Sequence, residues 1–221
     1  MRQLFLFLLL LPILACSDNS TKTPENDKPA PVTTTSPDTT NTPTTKTIVE
    51  KPNIDPSFLI VPGQRIGQIS LGQTAEKINN TLGKADSGDA AMGKALSFWY
   101  GKGRHKQNYV AVYFSRNFDG GPEDLLARQI RVNSSSFKTP ESIAPGSRIA
   151  SIRQNYTLKP IAYYSNPMQQ QIYIYDDTAK GIAFEIATSD SSCVAITIHQ
   201  KGENVTNSYL PVHPDMVRLK E

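Results

Sequence analysis

The chain has 221 residues and is 38% hydrophobic and 19% charged, with 23 Lys and Arg against 20 Asp and Glu, a formal net charge of +3. That length allows one folded domain with extensions or two small domains, and the charge is too slight to mark a nucleic-acid binder. Two cysteines exclude a disulfide-rich scaffold and a cysteine-based zinc site.

Residues 1–16 read MRQLFLFLLLLPILAC. A basic Arg2 precedes an uncharged run from Leu4 to Leu14, too short to span a bilayer, which needs about 20 residues, and suited to the apolar core of a secretory signal. The ending Ile13-Leu14-Ala15-Cys16 resembles the lipobox of bacterial lipoproteins. That resemblance implies a signal peptide over 1–15, cleavage after Ala15 and lipid on Cys16. Each buried CH₂ adds roughly 0.8 kcal/mol of membrane affinity, so two or three acyl chains hold firmly. Ser17 at the next position implies, by the same resemblance, an outer-membrane lipid anchor, with the domain facing either the periplasm or the surface.

Residues 16–55 read as a disordered tether. From Thr21 to Thr47 there are eleven Thr, five Pro and no aromatic residue, so no apolar face offsets the entropy of ordering. Asp38-Thr39-Thr40 resembles a bacterial O-glycosylation acceptor. The remainder, 56–221, carries 18 basic and 14 acidic side chains, and 207–221 reads as a C-terminal tail.

Within 56–206, Phe58–Val61 is an apolar run stopped by Pro62-Gly63. Thr74 caps a predicted helix over Ala75–Leu82, ended by Gly83, with Ala75, Ile78 and Leu82 on one face. Alternating segments Leu96–Tyr100, Tyr109–Ser115 and Ala127–Val132 predict three strands. The pattern then recurs: a helix from Ser147 to Tyr156, then strands Ile172–Tyr175, Ile182–Ala187 and Cys193–His199. Pro62-Gly63-x-Arg65-Ile66 also matches Pro145-Gly146-x-Arg148-Ile149. The expected fold is α+β: two helix-plus-three-strand repeats, over about 58–135 and 140–200, forming an antiparallel sheet with the helices on one face. The segment from Leu71 to Gly83, LGQTAEKINNTLG, resembles the BamE/SmpA lipoprotein family. The doubled unit resembles the β-lactamase-inhibitor-protein fold. The first resemblance implies an envelope assembly lipoprotein, the second a protein-binding concave sheet.

Several motifs carry less than their letters suggest. Gly88–Ala95 nearly spells a phosphate-binding loop, but Ala95 stands where a Mg²⁺-holding hydroxyl is needed. Gly101-Lys-Gly-Arg-His-Lys106 places four potentially cationic groups in one loop, suited to phosphate, anionic lipid or glycan acids. Cys193 and His199 lie six residues apart on one strand, roughly 20 Å, too far for a nucleophile–base pair. His105, His199 and His213 lack metal-ligand spacing. No catalytic constellation, metal or cofactor is expected.

Strand alternation sets apart two faces. Leu96, Phe98, Val110, Val112, Phe114, Ile130, Val132, Ile172, Ile174, Ile182, Phe184 and Ile186 share the aliphatic parity expected under the helices. The opposite parity carries Trp99, Tyr109, Tyr113, Arg131, Tyr173, Tyr175, Glu185 and His199, residue types suited to recognition. These eight are the expected partner-binding residues, unless the tail from Asn207 to Glu221 covers them. The expected function is a non-catalytic, lipid-anchored envelope protein binding a protein or glycan partner. The alternatives are an inhibitor of a secreted hydrolase and an outer-membrane assembly or structural lipoprotein.

Overall fold

The computed structural model describes residues 53–117, 124–206, 213 and 215–220. The signal segment, Cys16, Asp38–Thr40 and the tether up to residue 52 lie outside the described residues.

Asp55 Oδ1 accepts from Ser57 N (2.8 Å) and starts a short 3₁₀ turn, Pro56–Phe58. Three two-residue strands follow, β1 (Ile60–Val61), β2 (Arg65–Ile66) and β3 (Ile69–Ser70), which pair in that order as a small sheet. Helix α1 (Ala75–Leu82) has the bounds its sequence predicts. Thr74 Oγ1 accepts from Lys77 N (3.2 Å), and Gly83, at φ +86°, ends it. Ile78 is its buried contact with the core.

The remaining strands are β4 (Ser87–Ala91), β5 (Lys94–Tyr100), β6 (Tyr109–Ser115), β7 (Leu126–Val132), β8 (Lys159–Ser165), β9 (Gln171–Asp177), β10 (Ile182–Ala187), β11 (Cys193–His199) and β12 (Val217–Arg218). All nine pair antiparallel in the order β12-β8-β9-β10-β11-β7-β6-β5-β4. A second helix, α2 (Ile149–Arg153), precedes β8.

The expectation of two helix-plus-three-strand repeats is therefore corrected to a mostly-β fold, one continuous nine-stranded sheet with two short helices. The pairing of β7 with β11 makes it continuous. β4, β8 and β12 escape the sequence, the first two for reasons visible in their residues. β4 reads Ser-Gly-Asp-Ala-Ala, without a β-branched or aromatic residue, and is fully exposed; β5 templates it through a two-residue turn. β8 contains Pro160, which sits at a register irregularity where a missing N–H is tolerated. Helix α2 is half the expected length: it ends at Arg153, three residues short of Tyr156, and Ser147 does not cap its start. Ser147 Oγ accepts from Ala144 N (3.0 Å) instead, and Arg148 takes the cap position without a side-chain bond.

One face of the sheet packs on both helices and the small sheet. Ile60, Ile66, Ile69, Ile78 and Ile152 share a cluster with Val112, Phe114, Ile130, Phe184 and Ile196. The opposite face, at the β8–β10 end, holds Tyr164, Ile172, Ile174, Ala183 and Ala187, covered by Val205 and Met216. Every residue of β10 is buried, because both faces are covered there.

Candidate ligand site over a buried ion pair

Residues opposite one another in a sheet share a face. Arg131 on β7 is opposite Thr197 on β11, and Glu185 on β10 is opposite Ala195 on β11. Arg131 and Glu185 thus project from the same face, on strands separated by one strand. Two strand spacings are about 10 Å, a gap the long arginine bridges across the small Ala195. Arg131 Nε donates to Glu185 Oε1 (2.6 Å) and Nη2 to Oε2 (2.7 Å), a bidentate pair. Arg131 is 4% and Glu185 2% exposed.

Further polar groups complete the cluster. Arg131 Nη1 donates to the Tyr109 hydroxyl, and the guanidinium carbon lies 5.2 Å from the Tyr109 ring centre. The Tyr164 hydroxyl donates to Glu185 Oε2 (2.7 Å). His213 Nε2 is 3.2 Å from the same oxygen, and its ring stacks on Tyr164 with centres 3.5 Å apart. Burial alone would raise the Glu185 carboxyl, but Arg131 outweighs it and holds it well below the usual carboxylate range. Burial alone would also lower the Arg131 guanidinium, and Glu185 reverses this to a net rise. Burial and then the Glu185 charge push the Tyr164 hydroxyl well above its ordinary value, so it remains a donor.

The cluster forms one wall of an open cavity of about 630 Å³, within the range of small-ligand sites. Its lining includes Tyr109, Arg131, Asn133, Tyr164, Gln169 and His213. Asn133 is locked in place: its Oδ1 accepts from Tyr109 N (2.7 Å) and its Nδ2 donates to Gln107 O (2.9 Å). The cavity thus combines two tyrosine rings, a neutralised charge pair and loop amides. The Glu185 oxygens are engaged by Arg131, Tyr164 and His213.

The structure divides the eight expected partner-binding residues. Tyr109 and Arg131 line the cavity, and Glu185 lies beneath it. Tyr113 is on the same face but buried. His199 is 1% exposed and forms a second buried cluster, with Nε2 2.9 Å from Asp176 Oδ1 and Nδ1 3.0 Å from Gln200 O. Asp176 Oδ2 also accepts from Val205 N (3.0 Å), tying the segment after β11 to the sheet.

Trp99, Tyr173 and Tyr175 are on the other face. Trp99 is opposite Val110 on β6, and Tyr175 is opposite Phe184 on β10, so they share the helix side. Trp99 is 8% exposed in the main core, and its Nε1–H donates to Gly83 O (2.9 Å) at the end of α1. Tyr175 is half-buried, with the Arg153 guanidinium of α2 5.8 Å from its ring centre. Tyr173 is half-buried beside Tyr163, ring centres 5.6 Å apart. Conversely, Phe98, Ile172 and Ile174 belong to the Arg131–Glu185 face, not under the helices. Leu96 joins them, opposite Tyr113. Cys193 is buried, its Sγ 3.2 Å from Ala195 O, and burial pushes its thiol well above the ordinary value.

Sequence reasoning missed Tyr164, Asp176 and the role of His213. Tyr164 lies in the unrecognised β8, and His213 is in the tail. The tail does reach this face: His213 stacks on it, and β12 pairs with β8.

No family model matches the chain, and no curated protein matches it. Among solved structures, a cysteine-rich secretory protein from Staphylococcus aureus is similar at 12% identity and a TM-score of 0.39, over 63% of this chain and 46% of that one. An extracellular protein containing an SCP domain from Bacillus anthracis is similar at 10% identity and 0.40, over 68% and 49%. A DUF4309 family protein from Bacillus subtilis is similar at 11% identity and 0.36, over 63% and 88%. The chain thus spans about half the length of the first two. The expected BamE/SmpA likeness and its tandem repeat are corrected by the single nine-stranded sheet. Two of the neighbours are described as secretory or extracellular.

Proposed function

We propose that the chain is a non-catalytic binding protein of the cell envelope, held by lipid on Cys16, that takes an uncharged segment of a glycan in the cavity beside Arg131. The carrying observation is that the arginine in the cavity wall is already paired: Arg131 lies against Glu185 in bidentate contact, and Asp215, the carboxylate in the lining, repels an anion. An ion entering there would find no unpaired counter-charge in that pair. A sugar ring needs none, since it stacks on tyrosine faces and exchanges hydrogen bonds with hydroxyls and amides. Tyr109, half-buried in the wall, supplies the ring, and Gln169 supplies an amide at the rim.

The test titrates isotope-labelled full-length protein with the neutral hexamer of N-acetylglucosamine. Chemical-shift changes are expected at Tyr109, Asn133, Tyr164 and His213, and Tyr109→Ala should weaken binding about tenfold, roughly 1.4 kcal/mol. Changes confined to other residues, or none at millimolar sugar, would reject the reading. The anchor is tested separately. Intact mass should show acyl chains on a protein that begins at Cys16, and Cys16→Ser should release the protein from membranes. A mature chain with another N-terminus and no lipid rejects that part.

A further inference from the structure

A second cavity, of about 390 Å³, lies beside the first, and Tyr109 lines both. Its walls include Phe58, Tyr100, Phe137, Lys102 and His105. Phe58 and Phe137 meet edge-on with centres 5.4 Å apart, and Tyr100 and Tyr109 do so at 6.1 Å. Phe58 and Tyr100 are 41% and 42% exposed, two large rings left in water at the mouth of one cavity.

The basic loop singled out from the sequence forms one side of this cavity. It is a built turn. Gly101 N donates to Asn108 O (2.8 Å), Asn108 N to His105 O (2.9 Å), and His105 N to Lys102 O (3.1 Å). A Cβ at Gly101 would lie 2.3 Å from His105 O, so only glycine allows the chain to close this tightly. The turn holds Lys102, Arg104, His105 and Lys106 within five positions, all exposed. Among the described residues, no carboxylate pairs with any of the four. The carboxylate that reaches this end of β5, Asp86, accepts instead from Tyr100 N (2.8 Å). Lys102, Arg104 and Lys106 gather like charge beside exposed rings, and an anion joining them relieves that repulsion. An acidic sugar satisfies both features, with its ring on Tyr100 or Phe58 and its carboxylate or phosphate against the cations.

We infer that the Lys102–Lys106 turn and the cavity beside it form a subsite for the acidic group of an anionic glycan whose uncharged part occupies the cavity at Arg131. This rests on the reading of that first cavity as the glycan site, with Tyr109 as the shared wall.

The probes are an N-acetylglucosamine oligomer ending in one uronate sugar and its uncharged methyl ester, titrated into the full chain at two salt concentrations. The acid is expected to bind at least tenfold more tightly than the ester, with the difference shrinking as salt rises. Its shifts should extend to Tyr100 and residues 102–106. The triple variant Lys102→Ala, Arg104→Ala, Lys106→Ala changes exposed side chains only. It should melt as the wild type does and bind both probes equally, at the affinity of the ester. Equal binding of the two probes by the wild type overturns the inference. So does a triple variant that keeps the preference for the acid, or a turn that binds phosphatidylglycerol vesicles while showing no preference between the sugars. Shifts at the turn without shifts at Tyr164 and His213 would reject the first cavity as the glycan site and leave the anionic subsite standing alone.

Discussion

Glu185 and Arg131 have exchanged water for each other, and the exchange is favourable only while both are present. Removing one leaves a bare charge in an apolar setting, which costs about 3–5 kcal/mol, whereas replacing both by apolar groups of similar size is often neutral. Urea denaturation of Glu185→Ala should show a loss in that range. Arg131→Met combined with Glu185→Leu should recover most of it. A single variant that loses under 1 kcal/mol would mean water reaches the pair. The pH dependence has a definite sign. Glu185 is held below its ordinary carboxylate value of 4.5 in the fold. Between the folded and unfolded values the unfolded chain binds the additional proton, so stability rises with pH across that window. The contribution is complete above about pH 4.5 and fades as pH falls through the folded value. The stability difference between wild type and Glu185→Gln should therefore narrow on acidification below that point. A difference that widens instead would contradict the ionised assignment.

At the scale of elements, the β4–β5 hairpin is the weakest-specified pairing. Its strand β4 offers small polar residues and no buried side chain, so the turn and the backbone ladder maintain it. Ala91 and Lys94 pair across Met92 and Gly93, whose φ angles are +51° and +72°. Two successive positive φ values define the turn that suits the twist of a hairpin, and asparagine-glycine fills it best. Methionine is strained there and almost fully exposed, so it packs against nothing that compensates. Met92→Asn should stabilise the protein by on the order of 1 kcal/mol, read as a higher urea midpoint with an unchanged slope. Gly93→Ala should do the reverse. If Met92→Asn lowers stability, the exposed methionine makes a contact that outweighs its backbone strain.

At the scale of the molecule, cover on both faces is concentrated at the middle of the sheet and thins toward β4. Strands β10, β11 and β7 lie side by side there, and β10 is buried on both faces. Backbone hydrogen bonds shielded on both sides open only with global unfolding, while exposed edges open locally. Hydrogen exchange should accordingly be slowest at Phe184, Ile196 and Ile130. It should be fastest among strands at Ser87–Ala91, by several orders of magnitude. Uniform protection across the sheet would show that β4 is covered in solution.

The local features of this protein are written in its sequence. The bounds of α1 follow from Thr74 and Gly83, and β6, β10 and β11 have the bounds their alternation predicts, because caps and period-2 burial act within a few residues. Which parity faces the helices is a different matter. Alternation fixes the two sides of one strand but not how one strand's sides match its neighbour's; that match is set by register. So Trp99, placed by its own strand on a polar face, is turned to the core by its opposition to Val110, and Tyr175 by Phe184. The candidate site depends on such pairing throughout. Arg131, Tyr164, Glu185 and His213 come from four distant segments. Only the order β8-β9-β10-β11-β7 brings them to one cavity, since a buried charge selects its partner by distance in space, not along the chain.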